Sequence, residues 1–451
     1  MLFALSANLA FSAGLNIGTA SVRITPPMGT PIAGYYYERG AEGVHDDLYA
    51  KTILVEKNGK KLAIISCDII EITAELAAEV RQLAEKSTGI PADHIMISAT
   101  HSHTGPVILS STNMYATEGT MGDLLRGYMK ELPGKITESI ILANQRTKPA
   151  LLFFGSGHEE TISFNRRFFM TDGTVGWNPG KLNPKIIKPA GPIDPEVGVL
   201  YAESSNGKPL STYVNFALHL DITGGLDFSA DMPYTLSKIL GGLKGEDMVT
   251  LFGQGCCGNI NHINVKSGKP QKGHAEAERI GTVLAGEVIK TYTRLKPIEV
   301  DKIQARSTIV KLPLAEFSAD EVTSAREITQ KFGERGAAPF LDMVNAFKIV
   351  DVSERKGKPI DAEIQVFTMG DFAMVSLPGE VFVELGIYVK ERSPYANTMV
   401  LELTNGSVDY IPDSKAFVEG NYEPISARCA PGSGEILVER VLEILNDMKN
   451  N

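Results

Sequence analysis

A chain of 451 residues with 43% hydrophobic and 22% charged side chains has globular composition and can bury a substantial core, in one large domain or two ordinary ones. Its 44 Lys plus Arg against 54 Asp plus Glu give a formal charge of -10, which repels a polyanion and sets nucleic-acid binding aside. Four cysteines, with Cys256 and Cys257 adjacent, are too few for a disulfide framework and leave the redox compartment undecided.

The start, MLFALSANLAFSAGLN, is an apolar run ending in small residues around Ser12 to Gly14. It reads as the h-region and cleavage site of a secretory signal over 1–13, although no Lys or Arg precedes it, and predicts a secreted or periplasmic protein with its domain at 14–451. An ordinary N-terminal strand is the competing reading. No later stretch reaches the about 20 apolar residues that a bilayer crossing requires, so any membrane contact is expected to be peripheral.

Residues 61–65 (KLAII) predict a buried strand, followed by a helix from Ala74 with Leu76, Val80 and Leu83 on one face and a stop at Gly89-Ile90-Pro91. A second apolar run at 94–99 (HIMISA) completes a strand, helix, strand unit. Between Phe164 and Pro195 lies a Gly-, Pro- and Asn-rich stretch with little periodicity. It predicts a long functional loop, a lid or substrate-facing insertion that would place Trp177, Asn178 and Asn183 in a polar wall. Strands are predicted again at 212–218, 248–252, 364–376 (turning near Gly370) and 399–403, each followed by a polar cluster. Helices are predicted at 272–292, where Ile280, Leu284 and Val288 recur; from Ala319, where Ser318 and Glu321 make a capping box; and at 435–448. The alternation predicts an α/β fold, mixed β-sheets flanked by helices in a single catalytic domain with its site at strand ends.

The strongest local signal is ATHSHTGP from Ala99. His101 and His103 at i and i+2 of an extended strand end would point to the same side, and neutral imidazole nitrogens are ordinary zinc ligands. The bland alternative is a pair of exposed, hydrogen-bonding histidines beside a Gly-Pro turn. His219 closes TYVNFALHL, where a lone histidine is more often a satisfied core residue, and Glu380 ends LPGE, where a carboxylate is usually solvated. Three such residues at strand ends form a more particular pattern, because loops at one sheet edge bring distant side chains together.

In order, GVHDDLYAK at Gly43, SCDI at Ser66, ATHSHTGP at Ala99, FNRR at Phe164, FALH at Phe216, LPGE at Leu377 and the segment from Tyr410 to Glu423 resemble the neutral, non-lysosomal ceramidase family over nearly the whole chain. The resemblance implies one zinc ion on His101, His219, Glu380 and Tyr410, with His103, Arg166 and Tyr422 on the substrate side. It implies cleavage of an amide, N-acyl bond by a metal-bound water, with a small-molecule or lipid substrate. His103 is then the first choice as general acid or base, and Tyr422 and Arg166 are donors to an oxyanion. The twelve-residue separation of Tyr410 and Tyr422 matches the family's two functional tyrosines.

The chain also departs from that pattern. Gly258-Asn259-Ile260-Asn261-His262 stands where the family carries a Gly-Asp-Val-Ser-Pro segment, so a serine nucleophile is not expected, and Tyr410-Ile411-Pro412-Asp413 replaces a Tyr-Val-Thr-Thr pattern. The sequence ends soon after, which predicts an N-terminal catalytic type lacking the family's β-rich C-terminal domain. The alternatives are a zinc hydrolase of a non-lipid ester or glycan-derived substrate, a thiol enzyme using Cys256 or Cys257 with His262, and a non-catalytic secreted binding protein.

Overall fold

β1 (Leu15–Arg23), β2 (Tyr49–Lys57), β3 (Lys60–Cys67), β4 (Ile95–Ala99) and β5 (Lys148–His158) are the first strands of a nine-stranded sheet. After three short strands, β6 (Arg167–Met170), β7 (Val175–Trp177) and β8 (Ile186–Pro189), the sheet continues with β9 (Glu196–Ser204), β10 (Pro209–Phe216) and β11 (Val249–Gln254). The order is β11-β10-β9-β5-β1-β2-β3-β4, with Lys296–Pro297 added beside β5, and the pairs β10/β11 and β3/β4 are parallel within an otherwise antiparallel sheet. The structure is a computed structural model describing residues 14–109, 119–332 and 338–451, so the leader expected at 1–13 lies outside the described residues.

A second sheet contains β12 (Ile303–Leu312), β13 (Ile360–Met369) and β14 (Phe372–Ser376). After the short β15 (Glu380–Val381), it ends with β16 (Asn397–Leu401), in the order β12-β13-β14-β16. β13 and β14 form the hairpin expected around Gly370, which takes φ 58° and lies so close to the Glu299 carbonyl that a Cβ would stand 2.0 Å from it. Strand alternation then sorts the side chains. Phe367, Met369, Phe372 and Met374 are fully buried against Leu15, Ile17, Ile64 and Leu251 of the large sheet, and each such burial stabilises by about 1.5–3 kcal/mol. Ala362, Ile364 and Val366 face the other way.

Helices cover both outer faces. α1 (Ala74–Thr88) and α2 (Gly119–Gln145) pack on one half of the large sheet, α3 (Met232–Lys244) and α4 (His274–Tyr292) on the other. α5 (Ala319–Thr329) begins with the expected capping box and pairs with α6 (Phe340–Glu354). α7 (Val383–Arg392) and, after β17 (Tyr410–Ile411), α8 (Ser414–Glu419) and α9 (Tyr422–Ser426), α10 (Ser433–Asn450) cover the smaller sheet. α1 starts at the predicted Ala74, its Thr73 side chain accepting from the Leu76 amide, and stops at Gly89 with φ 71°. The α/β class, with mixed sheets flanked by helices, is as read from the sequence.

The stretch at 164–195 is not one continuous loop. β6, β7 and β8 form a three-stranded antiparallel sheet, turning at Gly173. Strands of three or four residues, one pair interrupted by a bulge, are too short for alternation to register in the sequence.

Candidate active site

The C-terminal ends of β4, β10, β14 and β16 lie along one edge where the two sheets meet. The Ala99 amide donates to the Leu403 carbonyl, Asn405 to Ile97 and Leu377 to Leu401, so the chain after β16 stitches the sheets together. β15 and β17 then pair in parallel register, Glu380 opposite Tyr410. His101 and Glu380, which follow β4 and β14 and stand 279 positions apart (380 minus 101), are thereby delivered to one place.

His101 lies beyond the end of β4, and its backbone is left-handed, with φ 69°. The expectation that His101 and His103 share a side because they continue an extended strand is therefore corrected: a turn through 102–105, closed by Gly105 N–H to the Ser102 carbonyl, makes them converge. A non-glycine residue in this region is strained, and here the surroundings over-determine it. The His101 amide donates to the Ile69 carbonyl at 3.0 Å and its Nδ1 lies 2.8 Å from the Ile70 carbonyl. His103 Nδ1 lies 2.9 Å from the Gly34 carbonyl; a Cβ at Gly34 would stand 2.3 Å from that nitrogen, so the approach requires glycine. His219 is placed three residues past the end of β10.

The Nε2 atoms of the three histidines meet: 2.9 Å between His103 and His219, 3.2 Å between His101 and His219, 3.4 Å between His101 and His103. Because a carbonyl only accepts, Nδ1 carries the proton in His101 and His103, leaving Nε2 a bare lone pair. His219 Nδ1 faces Cys257 Sγ at 3.9 Å, a sulfur whose own proton goes to Glu402 Oε1 and which therefore accepts, so its Nε2 is bare as well. Three lone pairs aimed at one another repel unless a cation lies among them, and Glu380 Oε2, 3.5 Å from His101 Nε2, has no hydrogen-bond partner among the described residues. The donor set fits a divalent ion. Burial lowers the basicity of His103, whose pKa falls to about 4, and depresses His219 strongly; burial acts on His101 in the same direction, but the Glu380 carboxylate outweighs it and raises that group.

Tyr410 is buried, and its hydroxyl accepts from Arg166 Nη2 at 3.1 Å and bonds the Glu380 carboxylate. Arg166 stands behind Tyr410 rather than in the cleft. Its Nε donates to Glu423 Oε1 at 2.9 Å and its Nη2 also donates to the Gly258 carbonyl at 2.6 Å. Arg167 donates to the other Glu423 oxygen at 2.9 Å. Tyr422 lines the cleft, with its hydroxyl 3.2 Å from that of Tyr36 and its ring stacked on Trp177 at 4.3 Å.

The cleft over the histidines has a volume of about 370 Å³ and is lined by Glu71, Glu75, Asp361, Asp409, Arg355 and Arg428 together with apolar groups such as Ile70 and Val408. None of its lining residues comes from 170–195, contrary to the wall expected there. Trp177 supports Tyr422 from behind, Asn178 accepts from Asn261, and Asn183 lines a separate groove. The thiol reading finds no footing either. Cys256 and Cys257 are buried outside the cleft, burial pushes both thiols well up, and His262 Nε2 donates to the Gln271 carbonyl.

Sequence reasoning missed Glu402, which is fully buried below the centre. Cys257 Sγ lies 2.9 Å from its Oε1, and Oε2 accepts from the Val381 amide at 2.7 Å; burial pushes its pKa up to about 8. The available signal was an acid closing the otherwise apolar run MVLEL.

Residues 15–219 match the protein family described as "Neutral/alkaline non-lysosomal ceramidase, N-terminal". The neutral ceramidase of Pseudomonas aeruginosa is 27% identical over 186 residues, 40% of this chain and 26% of that protein. Neutral ceramidase B of Dictyostelium discoideum is 26% identical over 183 residues, 39% of this chain and 24% of that protein. The match thus spans about a quarter of the length of these relatives. The solved structure of the Pseudomonas aeruginosa neutral ceramidase superposes over 96% of this chain and 74% of that one, with a TM-score of 0.74 at 20% identity. A second structure, of a ceramidase complexed with C2, gives 0.72 at 18% identity with the same coverage.

Proposed function

From the premise that the chain is a member of the neutral/alkaline non-lysosomal ceramidase superfamily, we propose that it is a zinc-dependent hydrolase of an amide, N-acyl bond. The observation that carries the proposal is the convergence of three bare imidazole nitrogens within 3.4 Å beside a Glu380 oxygen that has no hydrogen-bond partner among the described residues. His101, His219, Glu380 and Tyr410 would hold the ion. Zinc there supplies a Lewis acid that lowers the pKa of water toward about 7 and polarises a carbonyl.

The chain's own groups do the rest. His103, held by Gly34 so that Nε2 faces inward, accepts a proton from the attacking water and returns it to the leaving nitrogen as the C–N bond breaks. The Tyr422 hydroxyl, which lines the cleft, donates to the acyl oxygen as charge develops on it. Arg166 acts at one remove, fixing the phenol of Tyr410.

A second reading, hydrolysis of a small polar acyl compound, draws support from the cleft itself, where five carboxylates and two guanidinium groups line about 370 Å³. Metal analysis of purified protein followed by a panel of N-acyl lipids, short N-acyl amines, esters and glycosides separates the two, with His101→Ala as control. Stoichiometric zinc with no amide hydrolysis would reject the first reading. Export is proposed from the sequence of residues 1–13 alone, and N-terminal sequencing of the secreted or periplasmic fraction tests it.

A further inference from the structure

In a chain of net charge -10, residues 173–193 and 255–275 contain no Asp or Glu, while they carry Lys181, Lys185, Lys188, Lys266, Lys269 and Lys272. The fold joins these two segments. The Leu182 amide donates to the Val265 carbonyl at 2.7 Å, and Lys181 Nζ donates to the Lys269 carbonyl at 2.7 Å. All six lysines are exposed. Asp172, at the β6–β7 turn near Lys185, and Asp221, 3.3 Å from Lys272 Nζ, offset only part of this charge.

Between the segments runs a groove of about 850 Å³, lined by Phe164, Phe168, Ile186, Ile193 and Val265. Two large apolar side chains stand at its edge in conformations that folding does not favour. Leu182 is 63% exposed and has a left-handed backbone, φ 54°, strained for a bulky residue. Ile187 is 61% exposed because the bulge between Ile186 and Lys188 drops it from the ladder with β6. An exposed leucine held at a backbone cost, beside an isoleucine turned outward by a bulge, gains nothing for the core. Ringed by cations, the pair has the make-up of an interfacial anchor.

We propose that this face seats on an anionic lipid bilayer, with Leu182 and Ile187 entering the headgroup layer and the surrounding lysines meeting lipid phosphates. Charge complementarity selects the partner, and the apolar tips select a bilayer over a soluble polyanion. The same segment runs on to Lys272, whose ammonium bonds the hydroxyl of Tyr35, a residue lining the cleft. The proposal stands independently of the hydrolase reading, since binding and turnover are read separately.

Sedimentation with large unilamellar vesicles of phosphatidylglycerol and phosphatidylcholine, against phosphatidylcholine alone, tests it. The full chain is expected to bind the anionic vesicles, more weakly as salt rises. Lys181→Gln, Lys185→Gln and Lys188→Gln together should lower the partition coefficient about a hundredfold, at about fivefold per lysine. Leu182→Asn with Ile187→Thr, chosen to suit the local backbone, should also abolish sedimentation, with circular dichroism melts unchanged in both variants. Absence of binding to anionic vesicles at low salt would overturn the proposal. So would unimpaired binding by the Leu182/Ile187 variant, or retention on heparin that is as strong as vesicle binding and indifferent to those two residues.

Discussion

Replacing Glu423 by Gln tests whether the buried ion cluster behind the site holds it in shape. Glu423 is fully buried and receives Arg166 Nε and Arg167 Nη1, each at 2.9 Å, while both arginines are at most 5% exposed. Gln keeps the volume and one acceptor but removes the charge that two desolvated guanidinium groups share. Arg166 retains the Gly258 carbonyl and Tyr410, and Arg167 retains Glu419 and the Gly420 carbonyl, so neither is stripped of partners. That places the cost at the lower end of the range for breaking a buried pair, about 3 kcal/mol. The control is Glu419→Gln, whose carboxylate is nearer solvent at 13% exposure and should cost about 1 kcal/mol or less. Urea denaturation with unchanged m-value measures both. Because Glu423 follows Tyr422 and its partner Arg166 holds Tyr410, kcat should fall as well. If Glu423→Gln were no more destabilising than Glu419→Gln, the cluster would not be what fixes these tyrosines.

In metal analysis, His101→Ala and His219→Ala should lose bound zinc, whereas His103→Ala should keep it and lose about 10²–10³-fold in kcat; zinc loss in all three would place His103 among the ligands. Gly34→Ala puts a methyl group 2.3 Å from His103 Nδ1 at φ 95°, so it should lower kcat with zinc retained and cost about 1–3 kcal/mol in denaturant unfolding. Alkylation of the native protein should leave Cys256 and Cys257 unmodified by mass spectrometry and hydrolysis intact, while a chelator abolishes hydrolysis. Thiol-sensitive turnover that survives chelation would restore the cysteine reading.

The apolar periods of the chain determined the strands at 60–67, 95–99, 209–216, 249–254, 360–376 and 397–401 and the helices at 74–88, 274–292, 319–329 and 433–450, because burial of one face is a local demand that each segment writes into its own residues. The same holds for the Ser318 capping box and the Gly370 turn. The resemblance in motif order pointed to His101, His219, Glu380 and Tyr410 as the set to look for. Only the tertiary structure decided how that set is built. The left-handed turn at His101, the Glu380–Tyr410 register and the Gly34 approach are made by contacts between segments far apart in the chain, and no local pattern encodes a distance across a sheet edge. Glu402 and the Glu423 clamp stayed hidden for the same reason: a carboxylate reads as a surface residue until the fold shows what has been packed around it.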